Sequence, residues 1–84
     1  MSAVEHALLA VMAAEEGDRP TAQRYLTSAQ QHTRITARRE RQVVEIAALV
    51  VAGDRTRAAG LALEHRVEFP DDGELLARVA PAAG

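Results

Sequence analysis

The sequence predicts an all-α domain: two antiparallel helix pairs followed by a short C-terminal capping helix. Hydrophobic residues make up 48% of the 84 positions, but much of that is alanine, and the aromatics are only Tyr25 and Phe69. Alanine is the best helix former and adds no bulk between axes, so such a composition suits closely packed helices. Apolar residues recur at helical rather than strand spacing along most of the chain. A short string also occurs twice, GDRPTA from Gly17 to Ala22 and GDRTRA from Gly53 to Ala58, offset by 36 residues. A period in the middle thirties, with two helices per unit, is the pattern of a helical repeat.

The chain is organised around Gln42–Ala52, QVVEIAALVVA. Val43, Val44, Ile46, Leu49, Val50 and Val51 leave almost no solvated face, and a helix apolar on most of its circumference belongs between other helices. A dense apolar run is also compatible with a buried strand. Its length, the charged helix-tolerant residues before it and the stop at Gly53-Asp54 favour helix.

The remaining elements follow in order. Ser2 to Glu5 forms a capping box, in which the serine accepts from an orphan amide and the glutamate reaches back. Val4, Leu8, Val11 and Met12 then give a helical stripe that ends at Glu15-Glu16-Gly17. Asp18 caps a second helix, with Pro20 in its first turn where no amide is missed. That helix runs to about Thr33, with Ala22, Tyr25, Leu26 and Ala29 on one face and polar residues on the other. Thr33–Thr36 is read as a connection, and Thr36 as the cap of the central helix. Asp54 caps a fourth helix running from Arg55 to about Phe69. Gly60 inside it costs about 1 kcal/mol relative to alanine, which a close helix crossing would explain. Pro70 ends this helix, a second capping box from Asp71 to Glu74 opens the capping helix, and Pro81 begins a frayed tail. The units are therefore 3–34, 37–70 and 72–80, with 81–84 as the tail, in one small domain.

Composition narrows the function classes. The net charge of −2 gives no general attraction to nucleic acid or an acidic membrane. The chain has no cysteine, which rules out disulfides and thiolate metal sites. The apolar run Ala7–Ala14 follows Glu5 and His6 rather than a basic segment, so it does not read as a signal peptide. It is also far too short to span a bilayer. The expected location is cytoplasmic. His6, His32 and His65 lie far apart in the chain, with no i,i+4 partner. They read as packed or solvated side chains, and Ser2 and Ser28 have no base beside them. The chain reads as a non-enzyme with no cofactor and no metal. Arg34, Arg38 and Arg41 fall at i, i+4 and i+7 and can present three guanidinium groups on one face. An acidic protein partner would suit them. Glu40, Glu45 and the missing aromatics argue against nucleic acid. The bland alternative is a solvated face with local ion pairs.

The chain resembles the tetratricopeptide repeat family. Leu9, Ala10, Gly17, Ala22, Leu26 and Ala29 carry the resemblance in the first unit, and Leu49, Gly53, Ala58 and Pro70 carry it in the second. The run Arg39-Glu40-Arg41, the apolar helix, Gly-Asp and the terminal Pro-Asp look like divergent relatives in larger bacterial proteins. The family's large aromatics are absent where His6, Ala13 and Gln42 stand, and the first unit has no closing proline. The resemblance implies protein–protein interaction. The inner surface it implies is apolar: Ala7, Val11, Val43, Ala47 and Val50. The chain has neither lysine nor asparagine, so the family's carboxylate clamp is not expected, and an apolar groove for a helix is. Two units are few for such a stack. Val44, Val51 and the outer faces are therefore expected to stay unpaired and to be covered by self-association as a homodimer, by a partner protein, or by further repeats of a longer array.

Overall fold

The computed structural model describes residues 2–32 and 37–79. Four α-helices follow one another: α1 (Ala3–Glu15), α2 (Arg19–His32), α3 (Arg38–Val51) and α4 (Arg55–Glu68), then a 3-10 helix at Pro70–Asp72. There is no strand among the described residues. The domain is all-α, and its packing is that of a helical repeat: α1 lies against α2, and α3 against α4. α3 also touches α1 and α2, so it is covered by the other three helices. Val43, Val44, Ile46, Ala47, Val50 and Val51 are all buried. This is how a helix with so dense an apolar run can exist in so small a chain.

The repeated hexapeptide folds into the same turn twice. Gly17 and Gly53 adopt φ of 81° and 87°, a left-handed conformation that glycine alone enters without a Cβ penalty. In the first turn Asp18 N–H donates to Ala13 O at 2.9 Å and Gly17 N–H to Ala14 O at 3.1 Å. In the second, Asp54 donates to Leu49 O at 2.9 Å and Gly53 to Val50 O at 3.0 Å. This is the Schellman pairing, which satisfies carbonyls left over at the helix end. Each aspartate then begins the next helix: Asp18 Oδ1 accepts from Thr21 N–H at 3.3 Å, and Asp54 Oδ1 from Arg57 N–H at 3.2 Å. Four residues beyond each aspartate, Ala22 and Ala58 are fully buried. So glycine reverses the chain, aspartate starts the return helix, and alanine lets the two helices approach.

At the N-terminus the Ser2–Glu5 box forms in both directions, at 3.1 and 3.0 Å. The cap of α3 differs from the expected threonine: Ala37 occupies that position, its N–H donating to Glu40 Oε2 at 3.2 Å. Thr33–Thr36 lies outside the described residues.

Three expectations need correction. Val44 and Val51 are buried in the chain itself, because α3 is enclosed on three sides. Gly60 does not mark a close crossing: it is exposed, and a Cβ built there meets nothing within 4 Å. Residues 72–80 do not form the expected capping helix in their described part. The 3-10 helix passes into turns up to Val79. Asp72 is drawn inward by side chains of α3 and α4, and hydrogen bonds three residues apart follow, Val79 N–H to Leu76 O among them at 3.0 Å. The tail 81–84 lies outside the described residues.

Two substitutions test this packing. Ala22→Leu should overpack the α1–α2 contact and cost about 1–3 kcal/mol, lowering the melting temperature by roughly 4–8 °C per kcal/mol. Gly60→Ala, in dilute solution, should raise it, since about 0.5–1 kcal/mol of helix stability returns with no steric conflict. Thermal melts followed by circular dichroism measure both.

Candidate functional site

The inner surface of the helix pairs carries an apolar cavity of about 160 Å³ between α1, α3 and the C-terminal segment. Ala7, Val11, Val43 and Ala47 line it together with Ile46, and Leu8 and Met12 stand at its α1 side. Leu75, Leu76 and Val79 close it from the C-terminal side. The structure thus brings together four of the five residues expected on the inner surface; Val50 is not in the cavity wall. All five are buried, each at most 5% exposed. Ala7, Val11, Val43 and Ala47 form the floor of a partly covered pocket rather than an open groove, because Leu76 and Val79 fold back over them and are themselves buried. A charge placed on Val43 or Val50 would therefore unfold the domain before it tested a contact. The accessible lining residues are Leu8 and Leu75, half-buried, Met12, 42% exposed, and Arg78, exposed. The volume is near that of cavities of about 150 Å³ that hold a benzene-sized group.

The segment that closes the pocket is anchored at both ends. At its start, Asp72 accepts a forked pair of hydrogen bonds from Arg39, Nε to Oδ2 at 2.8 Å and Nη2 to Oδ1 at 2.7 Å. His65 Nε2 donates to the same Oδ2 at 2.7 Å, and His65 Nδ1 meets Gln42 Oε1 at 2.6 Å. Gln42 is held in turn by Glu68 at 3.2 Å. Asp72 is 3% exposed and His65 1% exposed, so this is a buried polar network with its partners in place. The Arg39 guanidinium, and after it the His65 ring, hold the Asp72 carboxyl below the usual carboxylate range against the opposing effect of burial. Phe69 packs its ring at 4.8 Å from that of His65. At the other end, Arg78 reaches Glu15 at 3.2 Å while Arg55 donates to the Arg78 carbonyl at 3.2 Å.

Arg39 is the arginine the sequence reading passed over, one residue from the face it singled out. Of that face, Arg38 lies 3.1 Å from Glu68 with a 67% exposed side chain, and Arg41 is exposed. Arg34 lies outside the described residues. No signal in the sequence marks Arg39 over its neighbours, because its partner Asp72 is 33 residues away.

The histidines are also placed differently from their sequence separation. His65 uses both ring nitrogens on Asp72 and Gln42. His6 and His32 stack at 5.2 Å across α1 and α2, each bonded through Nδ1 to the carbonyl four residues earlier. Among the described residues no cluster of three or more metal-ligating side chains forms, and no helix is long and apolar enough to cross a membrane. Comparison with protein-family models, curated proteins and solved structures returns no match to this chain.

The Arg39–Asp72–His65 network has a definite pH signature. The folded-state carboxyl of Asp72 titrates below its unfolded value, about 3.9. Its contribution is full above that value and disappears as pH falls through the lower folded value. Wild-type stability in urea, followed from about pH 6 down to about pH 2.5, should therefore fall more steeply than that of Asp72→Asn. Near neutral pH, Asp72→Ala should cost about 3 kcal/mol, the low end for a broken buried ion pair, because the 39% exposed Arg39 side chain can rehydrate.

Proposed function

We propose that the chain is a non-catalytic, tetratricopeptide-like protein–protein interaction module, and that its partner inserts a large apolar side chain of a helix into the pocket between α1, α3 and the C-terminal segment. The observation that carries this reading is the pocket's lining, apolar except for Arg78, with Met12 exposed beside it. A helix-in-groove partner is recognised by a few apolar anchors at helical spacing. An apolar pocket sized for one side chain suits such an anchor. Methionine at the edge is adaptable and fits irregular apolar surfaces.

Other observations favour binding over catalysis. Both nitrogens of the buried histidine are committed to fixed partners, so neither faces a substrate as an acid or base would. The arginine face is a weaker candidate, since Arg38 is already bridged to Glu68. A cytoplasmic setting belongs to the same proposal, as does a bacterial one, which rests on the tetratricopeptide resemblance. A second reading, the terminal unit of a longer repeat array, draws on the exposed outer face of α4.

A photo-cross-linking residue in place of Met12 should capture the partner in cells, and the purified partner should then shift the methyl resonances of Leu8, Val11 and Val43. Met12→Glu should leave the melt unchanged and weaken that binding at least about tenfold, as loss of a contact beside a hot-spot pocket does. A captured protein that leaves those methyls unmoved, or that binds Met12→Glu as tightly as wild type, would overturn the reading.

A further inference from the structure

We propose that a second copy of this chain docks on the outer face of α4, the two α4 helices packing antiparallel about a two-fold axis. Thr56, Gly60, Leu63 and Val67 follow each other at spacings of four, three and four, the alternation of a coiled-coil seam. The residues that face the core of their own chain, Ala58, Ala62 and His65, lie on the opposite side of the helix and are buried. The seam therefore points outward. Leu63 is 52% exposed and Val67 84% exposed, two of the three large hydrophobics that stand in solvent among the described residues. Gly60 lies on the same seam, between Thr56 and Leu63, with nothing within 4 Å of a Cβ. Inside the chain, nothing compensates its helix cost of about 1 kcal/mol.

An antiparallel second copy accounts for all four positions together. Running the helix against itself sets Leu63 of each copy over Gly60 of the other, a knob over a notch, and Val67 over Thr56. A parallel arrangement would instead bring Gly60 against Gly60 and leave a void. The flanking charges select the same orientation. Arg57 and Glu64 flank the seam on one side, seven residues apart, and the two-fold brings that side of each helix together. Arg57 of one copy then meets Glu64 of the other, twice by symmetry. Such flanking pairs set the partner and orientation of helix pairs. Both groups are within reach of a second copy: Arg57 makes only a long, exposed pair with Asp54, 4.0 Å apart with its side chain 74% exposed, and Glu64 is exposed. The match is of a surface with itself, as a two-fold interface requires.

This pairing goes beyond the pocket reading and uses a different face, so either can fail without the other. One helix pair is a small interface, and association in the micromolar range is expected of it. Sedimentation equilibrium over roughly 10 µM to 1 mM should show a reversible monomer–dimer equilibrium. Leu63→Glu and Val67→Glu, both at exposed positions, should keep the wild-type helical spectrum and melt while weakening the dimer at least about tenfold. Arg57→Glu should weaken it too, and Arg57→Glu with Glu64→Arg should restore it. A chain that stays monomeric throughout the range overturns the proposal and leaves the face to an adjoining repeat or another protein. A dimer indifferent to Leu63→Glu, or a charge reversal that does not rescue, overturns the antiparallel α4 pairing.

Discussion

The structure depends on enclosing α3. Val43, Val44, Ile46, Ala47, Val50 and Val51 point in several directions around one helix, and none of them can be left wet without loss of the main apolar reserve of a small chain. Three helices must therefore reach α3, and they must do so without large side chains, because the sequence has few. The solution is alanine at the contacts. Ala7, Ala10, Ala22, Ala29, Ala58 and Ala62 are all fully buried. Small residues bring the axes together and give up bulk in return, so each contact contributes little on its own. The C-terminal segment makes up part of the difference by adding Leu76 and Val79 to the same core.

The two Gly-Asp turns make this arrangement repeatable. Each combines a left-handed glycine, a chain reversal that satisfies two carbonyls, and an aspartate that starts the return helix. The side-chain and backbone demands of a helix end and a helix start are thus met within two adjacent residues. Much of the fold was legible in the sequence for this reason. The turn depends on local chemistry, and local chemistry is written contiguously: the glycine, the aspartate and the alanine four residues on recur together. The apolar density of α3 was legible for the same kind of reason, since a helix with so many apolar residues in succession has few places to go.

What the sequence did not disclose is non-local. Asp71 reads as the cap of a following helix, and nothing adjacent indicates that Asp72 turns inward to meet Arg39 and His65 from two other helices. That choice replaces a capping helix with turns and folds Leu76 and Val79 over the inner surface. The open groove becomes a partly covered pocket as a result. Ala7, Val11, Val43 and Ala47, from the inner surface that the tetratricopeptide resemblance implies, line one cavity, but a resemblance assigns residues to a face and does not say what covers it. Gly60 illustrates the converse. Its cost was visible in the sequence, and the natural explanation was a crossing within the chain; the structure leaves that face empty.

The Arg39–Asp72–His65 network and the outer face of α4 divide the molecule's polar and apolar surplus in opposite ways. The network buries Asp72 and His65 and satisfies them with fixed partners. A buried ion pair of this kind is weak support for stability in itself, because desolvation offsets much of its attraction. Its consequence is positional: with the carboxylate between a guanidinium and an imidazole, the chain after Pro70 has one direction to take, and that direction runs back across α1 and α3. On α4 the surplus is apolar and faces water, in a helix whose other side is already committed to the core. A small domain gains little by exposing a leucine and a valine beside a helix-weakening glycine. That combination becomes intelligible when the same three positions are read as one half of a contact, with bulk on each copy matched to space on the other.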